Sequence, residues 1–157
     1  NMIGGIFMAD TEMKPNVKAE KFDAYLKANQ LKFFLRDPVP NDPNGTVVYK
    51  SNIEAEGQKL PVGIIVDNTI YTIIRVQIGT GLIKDSNRDR FNAFLNELNR
   101  GYKVFKYVAA DDGTVYLDSC IPSSNEMFDP QLVRVILDVI VNHLQQEYKT
   151  IMKKVWD

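Results

Sequence analysis

The sequence predicts an α+β fold in which an antiparallel five-stranded sheet has its helices packed on one face. Segments of alternating apolar residues are crowded between positions 46 and 79, and they return between positions 103 and 122. Segments with the apolar spacing of helices lie before, between and after these strand segments. The connections between strands contain Gly, Asp and Asn, which favour hairpins and therefore antiparallel pairing. The predicted order of elements is α-β-β-β-α-β-β-α.

A first helix is predicted after an N-terminal tail. We expect residues 1–15 to form a loose, flexible tail, because its apolar run is short and is broken by two glycines. No Lys or Arg precedes this run, as a signal peptide would require. Asn16 has the chemistry of an N-cap, and apolar residues follow it on one side of a helix to about Asn29. We expect residues 16–157 to form a single domain.

The next segments predict an irregular connection followed by three strands. The segment LKFFLRD adds either a short strand or a turn, and the three prolines of DPVPNDPNG indicate a loop. Alternate residues of the first two strands are apolar and share one face: Val47, Tyr49, Ile53, Ala55, Leu60, Val62, Ile64 and Val66. The third strand, TIYTIIRVQIG, has apolar residues on both faces, which suggests a position in the middle of the sheet.

A second helix is predicted after the loop GTGLIK. Ser86 and Asp89 have the spacing of a capping box, and apolar residues then follow at helical intervals. We expect Gly101 to end this helix in the left-handed conformation that glycine adopts most easily.

The last two strands are predicted from an Asp112-Gly113 turn. A two-residue turn of this type places Val108 opposite Leu117, on a face that we expect to join the core. The same register directs three aromatic side chains away from the core: Phe105, Tyr107 and Tyr116. Tyr71 and Ile73 extend this aromatic face across the sheet. The face is interpreted either as a protein-binding surface or as a surface covered by a dimer partner, by the N-terminal tail or by a different register.

A long final helix is predicted from Pro130 to about Lys154, because Asp129 and Pro130 have the chemistry of an N-cap and a first helical position. Its apolar residues cover more than one face, and six of them form a coiled-coil-like seam: Leu137, Val141, Leu144, Tyr148, Ile151 and Val155. This seam either contributes to a dimer interface or belongs to one wide core face.

Composition excludes several classes of protein. The formal net charge is −1, and Lys and Arg form no basic stripe of the kind that binds nucleic acid. The single cysteine excludes an internal disulfide and any multi-cysteine metal site. No segment approaches the roughly 18 apolar residues of a membrane span. We therefore expect a cytoplasmic protein that has no nucleic-acid partner, no membrane association, no metal and no cofactor.

Two loops contain residues that partly match known ligand-binding patterns. The segment DSNRDR resembles the start of a calcium loop, but Arg90 and Asn96 stand where that loop needs a glycine and a bidentate acid. We therefore interpret Asp85 or Ser86 as a helix cap. The loop 79–85 contains GTGLIK, which lacks the third glycine of a dinucleotide-binding pattern, so that a plain connection is favoured over an anion site.

Cys120 and His143 are each the only residue of their type, which raises the question of a thiolate–imidazole pair. The predicted hairpin register places Cys120 on the face of the sheet that the last helix does not cover. Since His143 belongs to that helix, we expect no contact between the two side chains. No carboxylate pair lies in a setting that would raise its pKa, so that no catalytic residue is predicted.

The order of elements resembles that of a known family. The segments FNAFLNELNRGYKVFKYVAADDGTVYLDS and FDPQLVRVILDVIVNHLQQEYKTIM combine a helix, a strand, an Asp-Gly turn, a strand and a long apolar helix. They resemble the YbjN-like family of small bacterial proteins, which are described as sensory transduction regulators. The resemblance covers residues 16–155 and implies a fold similar to that of the type III secretion chaperones. Those chaperones are homodimers that bind extended segments of client proteins.

The expected function is that of a non-enzymatic, bacterial, chaperone-like or regulatory module that binds a protein or peptide partner as a homodimer. This expectation comes from the resemblance together with the aromatic face. The alternative is a small-ligand or anion-binding protein, or an enzyme, that uses the loop 79–85 or Cys120.

Overall fold

The structure is a computed structural model that describes residues 14–157, so that the predicted tail of residues 1–15 lies almost entirely outside the described residues. Within residues 14–157 there are three helices: α1 (Val17–Ala28), α2 (Arg88–Gly101) and α3 (Pro130–Trp156). The same residues form six strands: β1 (Leu35–Pro38), β2 (Val47–Ala55), β3 (Gln58–Val66), β4 (Tyr71–Gly79), β5 (Lys106–Ala109) and β6 (Val115–Pro122).

The strands form one antiparallel sheet in the order β1-β2-β3-β4-β6-β5. The α+β prediction is therefore confirmed, but the expected count of five strands is wrong. The sixth strand is β1, from the segment that was predicted as either a strand or a turn. It has only four residues, two of them charged and one a proline, and so it carries little strand signal of its own.

One face of the sheet carries the core, as the alternation in β2, β3 and β4 predicted. Tyr49, Ile64 and Ile74 are fully buried on this face, and buried residues from all three helices join the same cluster. The turn between β2 and β3 consists of Glu56 and Gly57, both with positive φ, which matches the twist of the two strands. The helices thus cover one face of the sheet, as predicted.

The helix ends follow the predicted capping chemistry at two of three starts. The Asn16 side chain accepts a hydrogen bond from the Ala19 amide at 2.8 Å, and Asp129 accepts one from the Gln131 amide at 2.9 Å. The predicted start of α2 is wrong, because Asn87 and not Asp85 or Ser86 precedes its first residue. The buried side-chain nitrogen of Asn87 donates to the carbonyl of Val155, and this bond joins the start of α2 to the end of α3.

The end of α2 also differs from the prediction, because Gly101 does not have a positive φ. The Lys106 ammonium caps the helix instead, donating to the carbonyls of Asn99 and Tyr102, each at 2.6 Å. The Asn99 side chain binds the edge of β5. Its oxygen accepts from the Tyr107 amide at 2.6 Å, and its nitrogen donates to the Tyr107 carbonyl at 3.1 Å.

The predicted register of the β5–β6 hairpin is wrong by one residue. Val108 lies opposite Tyr116, because the loop has three residues and not two. Gly113, with φ of 84°, supplies the left-handed residue of this loop, and the Asp112 carboxylate accepts from the Thr114 amide at 2.9 Å. A shift of one residue exchanges the two faces of a strand. Phe105 and Tyr107 therefore lie in the core.

The seam of α3 faces the core. Leu144 and Ile151 are fully buried, and Leu137, Tyr148 and Val155 are also buried. Val141 is half-buried beside them. The seam therefore belongs to the core face, and the opposite side of α3 exposes three other apolar residues: Leu132, Val135 and Val139.

Candidate functional site

A ligand could enter a groove between α1 and α3, which we call the α1–α3 groove. Its floor is the core face of β2 and β3 at Ile53, Val62 and Ile64. Its walls are formed by apolar residues of the two helices: Phe22, Leu26, Val133, Leu137 and Val141. The cavity has a volume of about 240 Å³ and a mostly apolar lining. Apolar concave sites of this kind are typical of ligand and peptide binding.

Aromatic side chains line the mouth of the α1–α3 groove on the side of β1. Phe34 packs edge-to-face on Phe22 with 6.0 Å between ring centroids, and Phe22 packs on Tyr49 at 4.7 Å. Phe33 contacts Phe34 at 4.8 Å and is 57% exposed. The mouth of the groove therefore presents a large aromatic side chain to solvent.

A polar network fixes the α1 wall to the sheet. The Tyr49 hydroxyl donates to the Asp23 carboxylate at 2.6 Å, and Arg36 of β1 forms an ion pair with Asp23 at 3.1 Å. Burial and the adjacent carboxylate raise the pKa of Tyr49, so that its hydroxyl remains a donor. These contacts hold α1 and β1 in place beside the groove.

A buried lysine fixes the other end of α1. The Lys18 ammonium donates to the carbonyls of Thr69 and Tyr71 at 2.8 and 2.9 Å, and to the Thr72 hydroxyl at 3.2 Å. Its three donors are therefore satisfied without a carboxylate contact. Burial lowers the pKa of Lys18, because the charged form loses its hydration. The burial of Lys18 was not predicted, because a single lysine at the start of a helix carries no signal of burial.

The rim of the α1–α3 groove is polar and carries charges of both signs. Arg134 and Asp138 belong to α3, and Glu54 belongs to β2. Within residues 14–157, neither Glu54 nor Asp138 forms an ion pair. The Tyr25 hydroxyl donates to the Gln131 side chain at 2.7 Å across the gap between α1 and α3. The rim thus combines two carboxylates without an ion-pair partner and one arginine.

The backbone of β2 is only partly paired at the groove. Within the described chain, β1 pairs with residues 47–50 of β2, and the pairing ends at Leu35 opposite Lys50. The remaining residues, 51–55, pair with β3 on one side alone. Residues 51–54 also line the groove, so that an open stretch of sheet edge adjoins the apolar cavity.

The aromatic face predicted on the other side of the sheet is smaller than expected. Tyr71 is 51% exposed there, and Ile73 and Tyr116 are half-buried, as a position on that face requires. The assignment of Phe105 and Tyr107 to this face is wrong, because the observed register of the β5–β6 hairpin directs both side chains into the core. The pairing aligns four side chains in a row across this face: Val48, Ile65, Ile73 and Cys120.

Phe105 and Tyr107 instead surround His143 in the core. The Tyr107 hydroxyl lies 2.6 Å from His143 Nε2, and the rings of Tyr102 and Phe105 lie 4.4 and 4.5 Å from the imidazole. Burial lowers the pKa of His143 to about 4, so that the imidazole is neutral at pH 7. Burial also raises the pKa of Tyr107, so that its hydroxyl stays protonated and forms a hydrogen bond with the neutral imidazole. Cys120 is exposed on the opposite face of the sheet, remote from this cluster.

The loop 79–85 has little capacity to hold an anion through its backbone. The amides of Leu82 and Ile83 donate to the Gly113 carbonyl at 2.9 and 3.2 Å. The Lys84 amide donates to the Asn87 side chain at 2.7 Å. Because these three amides already have intramolecular acceptors, this geometry favours a plain connection.

Residues 14–157 contain no group of three or more His, Cys, Asp and Glu side chains arranged to hold a metal ion. No helix in the same range is long and apolar enough to cross a membrane.

The fold and the α1–α3 groove together define an α+β protein with a preformed apolar cleft beside an open strand edge. Comparison of the chain with models of known protein families and with curated protein sequences gave no match.

The α1–α3 groove was missed by the sequence analysis. Its lining comes from five separate segments, whose residues were interpreted as core positions, as a dimer or core seam, as the polar face of a strand or as a connection, and not as one site. One local signal was present. The pair Phe33-Phe34 lies in a segment that is neither a regular helix nor a long strand, where two large aromatic residues indicate a tertiary contact.

Proposed function

We propose that this protein is a non-enzymatic binding module that takes an apolar segment of a partner protein into the α1–α3 groove. The observation that carries the proposal is the groove itself, a cavity of about 240 Å³ between α1, α3 and the sheet, open at its aromatic mouth. Its role would be chaperone-like or regulatory, as the resemblance to the YbjN-like family implies.

The size and lining of the groove support a side chain of a peptide as the ligand. Complete burial of a large apolar side chain stabilises a complex by about 1.5–3 kcal/mol. A cavity lined by Phe22, Leu137 and Val141 provides such burial without moving the backbone. The carboxylates and the arginine at the rim supply the polar contacts that orient a bound segment.

A homodimer is part of the same proposal. Leu132, Val135 and Val139 form an exposed apolar stripe on α3, on the side that faces away from the sheet. Their spacing suits packing of α3 against α3 of a second copy. This stripe replaces the seam of six residues as the candidate dimer contact, because the seam lies in the core. We assign the protein to the cytoplasm, where the exposed Cys120 thiol stays reduced.

The test compares two substitutions on α3. Val141→Arg places a charge in the groove, and Val139→Arg places the same charge on the exposed stripe. A displayed library of random dodecapeptides is selected on the wild-type protein, and the affinities of the enriched peptides are then measured for both variants. Circular dichroism and thermal unfolding establish that each variant is folded.

We expect enriched peptides to share one large apolar residue. Val141→Arg should weaken their binding at least about tenfold, in line with the loss of one buried side chain, and Val139→Arg should leave it unchanged. A selection without enrichment, or equal affinity for both variants, would overturn the proposal. Light scattering on the Val139→Arg protein tests the dimer separately, since the charge should dissociate it.

A further inference from the structure

We propose that the open edge of β2 accepts an extended peptide as an additional antiparallel strand, with one of its apolar side chains in the α1–α3 groove. This inference rests on the proposed function and names the form in which the partner binds. The occupant is an extended segment that carries a basic residue immediately before a large apolar residue.

The hydrogen-bond pattern of β1 and β2 identifies the open backbone groups. The Val39 amide donates to the Thr46 carbonyl at 2.9 Å, so that residues 46, 48 and 50 direct their amides and carbonyls toward β1. By the same alternation, Asn52 and Glu54 direct theirs toward the same side. β1 has already ended at that point, and these groups face the mouth of the groove.

The groups on this edge are available to a partner. No backbone group within residues 14–157 pairs with Asn52 or Glu54 on the open side. The Glu54 carbonyl accepts one long hydrogen bond, 3.4 Å, from the exposed side chain of Gln145. A bond of this length is weak, so that an incoming strand can replace it.

The alternation of side chains along a strand determines which peptide residue is the anchor, that is, the apolar residue that enters the groove. Ile53 points to the core face and lines the floor of the groove, whereas Asn52 and Glu54 point to the other face. In an added antiparallel strand, the residue opposite Ile53 also points to the core face and enters the groove. The residues on either side of it pair with Asn52 and Glu54 through the backbone.

Charge complementarity selects the flanking residue. The Glu54 side chain is exposed beside this edge, and within the described chain its carboxylate has no ion-pair partner. Because the added strand runs antiparallel to β2, the residue opposite Glu54 comes just before the anchor. A Lys or Arg at this position faces the Glu54 side chain directly across the two strands. The preferred core of the segment is therefore Lys-Phe-Thr or a close equivalent.

The probe is a fluorescein-labelled nonapeptide, Ser-Thr-Val-Lys-Phe-Thr-Val-Thr-Ser, whose binding is measured by fluorescence anisotropy. Two N-methylated versions test the strand. Methylation of the Lys and central Thr amides blocks the groups that would face β2, and methylation of the Phe amide blocks a group that would face away. The protein variants are Asn52→Pro and its matched control Asn52→Ala. Proline removes the amide of residue 52, which faces the open edge, and the hydrogen bonds between β2 and β3 remain.

We expect methylation at Lys and Thr to weaken binding at least about tenfold and methylation at Phe to change it less than about twofold. Asn52→Pro should bind about fivefold more weakly than Asn52→Ala, as the loss of one hydrogen bond requires. Replacement of the peptide Lys by Glu should weaken binding, and the difference should shrink as salt is added.

The outcomes separate the inference from the proposed function. If Val141→Arg abolishes binding of the nonapeptide but both methylated peptides bind equally, the groove binds peptides without strand addition and the inference is overturned alone. If the nonapeptide does not bind at all, or if Val141→Arg has no effect, the groove itself is the wrong site. If the free protein is a dimer that Asn52→Pro dissociates, a second copy occupies this edge and the inference is overturned.

Discussion

The environment of His143 makes the stability of the protein depend on pH in a defined direction. Burial among Tyr102, Phe105 and Tyr107 lowers the pKa of His143 from 6.5 to about 4. The Tyr107 hydroxyl forms a hydrogen bond with the neutral imidazole, and a protonated imidazole would place a positive charge in this buried cluster. The folded state therefore resists protonation, whereas His143 in the unfolded chain is protonated near pH 6.5.

The sign and the size of the effect follow from these two pKa values. Because the unfolded state binds the proton first, the contribution of His143 to stability is complete above pH 6.5 and is lost as the pH falls toward 4. The total is about 3 kcal/mol, of which about 2.5 kcal/mol is lost by pH 4.5. This is a large part of the usual stability of a small domain.

The assay is urea unfolding, followed by circular dichroism, at several pH values from 7.5 to 4.5. His143→Gln serves as the control, because the glutamine amide offers both a donor and an acceptor to the Tyr107 hydroxyl but does not titrate. The free energy of unfolding of the wild type, relative to this variant, should fall by about 2.5 kcal/mol over the range. Parallel curves for the two proteins would refute the assignment of a neutral, buried imidazole.

Three further substitutions test the packing described above. Gly113→Ala should destabilise the protein by about 2–3 kcal/mol, because its Cβ would lie 2.5 Å from the Ile83 carbonyl and φ is 84°. Gly101→Ala, at the open end of α2, should instead stabilise it by about 0.5–1 kcal/mol in the same urea titration, and an equal effect of both alanines would contradict the argument. Lys18→Met should destabilise the protein by at least about 2 kcal/mol in thermal and urea unfolding, because one buried and two partly buried hydrogen bonds lose their donor. A Met variant as stable as the wild type would show that the ammonium contributes nothing net.

The parts of the fold that were predictable from the sequence depend on contacts close along the chain. The strict alternation of Val47 to Ala55 identified the buried face of β2 without knowledge of its neighbours. The caps at Asn16 and Asp129 were equally local, since each side chain binds an amide two or three residues away. Such contacts leave a pattern within a few residues.

The β5–β6 hairpin shows where local reasoning stops. A two-residue and a three-residue loop both place glycine at Gly113, so that the turn chemistry did not decide between them. Both faces of β5 are apolar, with Val104 and Val108 on one and Phe105 and Tyr107 on the other. The register is determined by the packing of Phe105 and Tyr107 around His143 on α3. Because α3 is distant in sequence, this contact leaves no pattern near the hairpin.

The α1–α3 groove was unpredictable for a related reason. Its existence depends on the start of β1 at Leu35, which leaves residues 51–55 of β2 without a neighbour, and on the gap that separates α1 from α3. Neither is encoded in a periodicity. The same apolar residues would form a closed core if the two helices lay closer together, so that a cavity and a filled interior have the same sequence pattern.

The side chain of Asn99 has a consequence for assembly. By occupying both the amide and the carbonyl of Tyr107, it makes one border of the sheet unreceptive to strands from other molecules. A sheet that is receptive at both borders can join its neighbours without end and form fibres. With the outward groups of Tyr107 occupied at the β5 border, strand pairing with other molecules is directed to the opposite border of the sheet, which β1 and residues 51–55 of β2 form.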